Sequence, residues 1–102
     1  MIFVDNETIV GKMNILERWI IFHSILYYNL DDNIVSDQMF DMNGKQLYSL
    51  ILTYSKEFKL SKYYYVMSDY EGASGFGLYE RLSSGDKLYF NKTIEGRNLW
   101  KM

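Results

Sequence analysis

The stretch Tyr27-Tyr28-Asn29-Leu30-Asp31-Asp32-Asn33-Ile34-Val35-Ser36-Asp37-Gln38-Met39-Phe40-Asp41 is where the fold turns. Upstream of it, Met13, Leu16, Ile20, His23, Tyr27 and Leu30 recur at alternating steps of three and four, the stripe of an amphipathic helix. Ile9, Val10, Trp19, Ile21, Phe22 and Leu26 widen that stripe, so the helix should be buried on much of its circumference. Asp5 or Asn6 is placed to cap it, with Glu7 in its first turn. Asp31 to Val35 then forms a short acidic turn. Ser36 caps a second helix, with Asp37 where a negative charge meets the positive end of the helix dipole. Phe40, Asn43, Leu47, Leu50 or Ile51, Tyr54 and Phe58 make its stripe. Asn43-Gly44 has the composition of a hairpin turn, but no alternating strands flank it. It reads as a tolerated weak point in a helix of about twenty residues. Two helices joined by so short a link pack antiparallel.

Outward from this pair, Tyr63-Tyr64-Tyr65-Val66 is aromatic and β-branched and reads as a strand, with Ile2 to Val4 as its natural partner. Alternate tyrosines would then fill the core while the middle one faces solvent. Asp69 to Gly77 carries Gly72, Gly75 and Gly77 and reads as a turn or mobile recognition loop. Ser83 or Ser84 caps a last helix, with Asp86 in its first turn and Leu88, Tyr89, Leu99 and Trp100 as apolar anchors. Gly96 is a candidate early stop. The expected fold is mainly α (α+β): an antiparallel helix pair plus a C-terminal helix, with a small two-stranded β element. With neither proline nor an internal repeat, residues 1–102 read as a single domain.

Composition narrows the functional classes. Of 102 residues, 48% are hydrophobic and 18% aromatic, too apolar for a disordered chain. Such a chain should fold alone or as a small homo-oligomer. Cysteine is absent and histidine occurs once, which removes thiolate metal sites and argues against zinc. No apolar window approaches the about 18 residues a membrane span needs, and Met1 to Val4 lacks the form of a signal peptide. A cytoplasmic protein is expected. Net charge is −2, but residues 1–50 hold three Lys/Arg against seven Asp/Glu, and residues 51–102 hold eight against six. Neither half is a basic nucleic-acid patch.

Tyr27, Tyr28, Asp37, Phe40 and Asp41 converge at the mouth of the expected hairpin. Asp37 and Asp41 are four apart and share a helical face, opposite the aromatics that end the first helix. Such a set can stack a flat, positively charged or amide-bearing ring and hydrogen-bond its hydroxyls. His23 lies on the apolar stripe and reads as a core histidine, because no serine or cysteine nucleophile accompanies it. Asp37 alone is explained by the helix dipole. Asp41 on the same face is not needed for capping. The glycines after Asp69 do not form a P-loop, since no Gly-Lys-Ser/Thr follows. Tyr70 and Phe76, flanked by those glycines, are a second candidate interaction surface.

His23-Ser24-Ile25-Leu26-Tyr27-Tyr28, the acidic turn and Ser36-Asp37-Gln38-Met39-Phe40-Asp41 resemble the N-terminal Ia domain of bacterial NAD-dependent DNA ligases. There a His-x-x-x-Tyr-[His/Tyr] run leads through an acidic turn into Ser/Pro-Asp-x-x-Tyr-Asp. The register from Tyr27 to Asp41 matches without a gap, and the resemblance spans about residues 13 to 58. It implies that Tyr27, Tyr28, Phe40, Asp37 and Asp41 stand at positions that contact the nicotinamide mononucleotide half of NAD. Phe40 replaces the family's usual tyrosine, and Asn33 its usual proline. The family's Lys-x-Asp-Gly adenylation nucleophile has no counterpart here, so ligase activity by this chain alone is not expected and no catalytic residue is assigned. The second half, from Lys62 to Leu78, is similar to small ligase-related proteins of phages and mobile elements. The resulting expectation is a non-catalytic module that binds NAD or nicotinamide mononucleotide, or reuses that face for a host or phage protein. The alternative is a small inhibitor or adaptor acting on a host protein, such as an anti-CRISPR.

Overall fold

The computed structural model describes residues 8–32, 34–72 and 75–101, with side chains as far as Gly96. The described chain is helical, and no strand occurs among the described residues. Helix α1 (Ile9–Ser24) begins at Thr8, whose side-chain oxygen accepts from Gly11 N at 2.8 Å. Asp5, Asn6 and Glu7, the expected start, lie outside the described residues. Met13, Glu17, Ile20 and Ser24 form the deeply buried line of α1, with Ile21 and His23 beside it. Below Ser24 the helix widens into a π-helical turn, Ile25–Asn29, in which Leu30 N donates to Ile25 O at 3.2 Å.

Helix α2 (Asp37–Thr53) starts where Ser36 was expected to cap it, its Oγ accepting from Met39 N at 3.0 Å. It packs mainly on α1, burying Leu47 completely and Phe40, Leu50 and Ile51 in part. The helix bends at Tyr54 (φ −124°, ψ 55°) and resumes as α3 (Ser55–Phe58), so the expected single helix is two. Gly44 is no weak point. A Cβ there would stand 2.5 Å from the Tyr70 hydroxyl and 2.9 Å from the Gly72 carbonyl oxygen. The bare backbone lets the chain after Tyr70 lie directly on α2.

The expected strand over Tyr63 to Val66 is instead α4 (Tyr64–Met67). Val66 N and Met67 N both donate to Tyr63 O at 3.0 Å, so local bonds satisfy the backbone that a ladder would have used. Ile2 to Val4, its expected partner, lies outside the described residues. The tyrosines follow the helical turn: Tyr63 is buried, Tyr64 half-buried and Tyr65 exposed. Tyr65 turns its hydroxyl to Asp86 and accepts from Ser83 N at 3.1 Å. α5 (Leu78–Arg81) follows the glycine-rich loop, and Arg81 returns to Asp69 with both guanidinium nitrogens and to Val66 O at 3.1 Å. α6 (Ser84–Lys101) is capped by Ser83, whose Oγ accepts from Asp86 N at 3.2 Å. Gly96 does not end it. Phe90 and Ile94 close the core on Tyr63, Val66, Leu78 and Leu82.

Candidate functional site

The π-helical turn decides what the hairpin mouth displays. An extra residue in one turn rotates everything after it off the α1 stripe. Tyr27 and Leu30, expected on that stripe, are therefore exposed at 45% and 49%. The turn closes with Asp32 N donating to Leu26 O at 2.7 Å, and Asp31 takes a positive φ of 50°. Aspartate is among the few non-glycine residues that visit this region readily. The acidic turn thus aims the tyrosines outward while keeping the link to α2 short.

Tyr27 and Tyr28 meet edge to face, their ring centroids 4.7 Å apart at 73°. Tyr28 in turn meets Phe76 at 5.5 Å and 82°. Phe76 is 76% exposed, the ring held out by the Gly75-Phe76-Gly77 turn. Its two glycines act in different ways. A Cβ on Gly75 would overlap Ser24 Oγ at 1.8 Å, and Gly77 has a positive φ of 81°. Gly75 seats the loop on α1, and Gly77 supplies the left-handed backbone turn beside the exposed Phe76.

Of the expected ligand face, Tyr27, Tyr28, Asp37 and Asp41 are exposed, while Phe40 is half-buried. The Phe40 ring packs toward Trp19 at 6.0 Å and borders the site of Gly75. Phe40 is a wall between the helices rather than a lining group at the mouth. Asp41 pairs with Lys45 at 3.0 Å on the α2 surface, an exposed pair of little energetic weight. Tyr70 does not reach the surface. It is 7% exposed over Gly44, and its hydroxyl has no hydrogen-bond partner among the described residues. Burial, then the nearby Asp41 carboxylate, then Tyr28 push its pKa up to about 12.

Between Tyr28, Asn29, Phe76, Gly77 and Glu80 lies a cleft of about 330 Å³, at the lower end of small-ligand sites. Asn29 Nδ2 donates to Glu80 Oε1 across it at 3.4 Å. Sequence reasoning found Phe76 but not Asn29 or Glu80, because only the fold brings α5 against the π-helical turn. It also missed Glu17, although the spacing Met13, Glu17, Ile20, Ser24 lays it on the buried line. Glu17 is fully buried: Ser61 Oγ lies 2.8 Å from Oε2, and Tyr63 N donates to Oε1 at 3.3 Å. Desolvation raises its pKa to about 7, against the lowering effect of those two bonds.

No group of acidic or histidine side chains among the described residues could hold a metal ion, and no described helix is long and apolar enough to cross a membrane. Compared with family models, curated proteins and solved structures, the chain matches none.

Proposed function

We propose that this chain is a non-catalytic binding module whose hairpin mouth receives a nicotinamide mononucleotide-type ligand. The observation that carries the reading is the exposed aromatic run Tyr27–Tyr28–Phe76 at the turn that leads into α2. Exposed aromatic faces stack flat rings, and carboxylates at the first turns of α2 accept hydrogen bonds from ribose hydroxyls. The sequence resemblance to ligase Ia domains supplies the ligand class. A phage or mobile-element setting is part of the same reading. Half-buried Phe40 offers no hydroxyl, so affinity rests on Tyr27, Tyr28, Asp37 and Asp41. Calorimetric titration with nicotinamide mononucleotide and NAD tests it. Binding that disappears in the Asp37→Ala/Asp41→Ala double variant supports the reading, and absence of binding by the folded protein refutes it.

A second reading, a small inhibitor or adaptor that seats a host protein on this end, is favoured by a separate observation. Leu30, Ile34, Met39 and Met42 are 49%, 48%, 45% and 59% exposed around the same turn. Apolar side chains in such number at one end of a small domain suit a protein interface. In this case Phe76→Ala and Met42→Asp abolish capture of the partner, and the aspartates tolerate alanine.

A further inference from the structure

The second half of the chain adds a wall to the hairpin mouth that the Tyr27 to Asp41 register does not contain. Phe76 stands edge-on to Tyr28, and Glu80 lies one helical turn further along, at the start of α5. Together with Asn29 and Gly77 they enclose the cleft of about 330 Å³. Glu80 is the one charged residue among those described along its walls, and no described lysine or arginine lines it. Its Oε1 is engaged by Asn29 only through a long 3.4 Å bond, which a better donor or a cation can displace. Aromatic faces carry negative quadrupole charge, and a carboxylate adds a full negative charge beside them. The walls therefore attract positive charge on a flat or compact organic group and repel anions. A neutral ring of the same shape gains the stacking but not the electrostatic part.

We propose that the Tyr28–Phe76–Glu80 cleft is a site for an organic cation, an N-alkylated pyridinium ring, and that Glu80 selects the ring by its charge. The inference deepens the ribotide reading, on which it rests for the ring's identity. The residues that carry it, Phe76 and Glu80, are separate from Asp37 and Asp41. Glu80 discriminates between charge states of one ring: the oxidised nicotinamide is a cation and its dihydro form is neutral. The site would hold the former and release the latter.

The test uses 1-methylnicotinamide, a minimal cation, against neutral nicotinamide, and oxidised against reduced nicotinamide mononucleotide. Each is titrated into wild-type protein, Glu80→Gln and Phe76→Ala. Both side chains are exposed, and circular dichroism checks that the variants fold. The cationic member of each pair should bind about tenfold more tightly, the scale of one partly desolvated cation–aromatic contact. Glu80→Gln should reduce that preference severalfold, to what the aromatic faces alone supply, while leaving the neutral member's affinity unchanged. Phe76→Ala should weaken both. Equal affinity for the charged and neutral rings overturns the proposal, as does a preference undiminished in Glu80→Gln. Mononucleotide binding that needs Asp37 and Asp41 but ignores Glu80 overturns this inference and leaves the ribotide reading standing. Glu80-dependent binding of 1-methylnicotinamide without any mononucleotide binding does the reverse. No binding by any probe overturns both.

Discussion

Replacing Glu17 by glutamine should stabilise this protein at neutral and higher pH and leave it unchanged in acid. Ser61 Oγ lies 2.8 Å from Glu17 Oε2 and 2.7 Å from Phe58 O. One hydroxyl hydrogen cannot serve two acceptors. A protonated Glu17 resolves the conflict: its O–H donates to Ser61, Ser61 donates to Phe58 O, and Oε1 still accepts from Tyr63 N. Burial, which raises the Glu17 pKa from 4.5 to about 7, favours the same protonated form. A carboxyl raised in the folded state gives stability that is complete below the unfolded pKa. It is then lost as pH climbs through the window from 4.5 to about 7. At one pKa unit per 1.36 kcal/mol, the loss between pH 5 and pH 8 comes to about 2–3 kcal/mol. That is a large share of the roughly 5–15 kcal/mol a small domain commands. Glutamine reproduces the protonated arrangement, its Nε2 donating to Ser61 and its Oε1 accepting from Tyr63. Urea unfolding of both proteins from pH 4.5 to 8.5 reads the effect. The wild-type midpoint should fall with pH relative to Glu17→Gln, the two diverging by about 1–2 M urea at pH 8. Because His23 is common to both proteins, their difference isolates Glu17. Parallel profiles, or a variant less stable at pH 8, would refute the protonated network.

The glycines give a paired test by thermal or urea unfolding. Gly44→Ala gains helix propensity of about 1 kcal/mol, but it forces a Cβ within 2.5 Å of the Tyr70 hydroxyl and should be net destabilising. Gly85→Ala, with nothing within 4 Å, should stabilise α6, by about 0.5–1 kcal/mol. Tyr70→Phe removes a buried hydroxyl without a partner among the described residues and should be neutral or stabilising. A loss above about 1 kcal/mol there would mean that the hydroxyl is bonded in solution. Ser36→Ala removes the bond to Met39 N at the start of α2 and should cost about 1 kcal/mol.

The helix pair was legible because its signals are local. The three-and-four spacing from Met13 to His23, the Ser36 cap and Asp37 all act within one turn of chain. The reading failed where tertiary contacts override local preference. Tyr63-Tyr64-Tyr65-Val66 has strand composition, yet Tyr63 N is held by Glu17 and Arg81 grips Val66 O, and both belong to distant segments. The π-helical turn was illegible for a different reason. It leaves the apolar spacing intact in sequence while rotating Tyr27 and Leu30 away from the core. Tyr70 was read as a surface anchor because its neighbours are polar and glycine-rich. Those glycines bring the backbone close enough to bury it, against Gly44 in particular. Of the residues expected at the mouth, Tyr27, Tyr28, Asp37 and Asp41 are exposed and Phe40 is not, because its ring packs toward Trp19. Glu80 and Asn29 became visible only once α5 was seen against the π-helical turn.

The proposed function is that Tyr27, Tyr28, Asp37 and Asp41 bind a nicotinamide ribotide and do not turn it over. Isothermal titration of nicotinamide mononucleotide into the wild-type protein and the Asp37→Ala/Asp41→Ala variant, with the ligand recovered and analysed afterwards, tests it most directly. Saturable heat from the wild type, none from the folded variant and intact ligand at the end are the predicted result. A folded wild-type protein that gives no heat, binding that persists without both aspartates, or consumption of the ligand would contradict it.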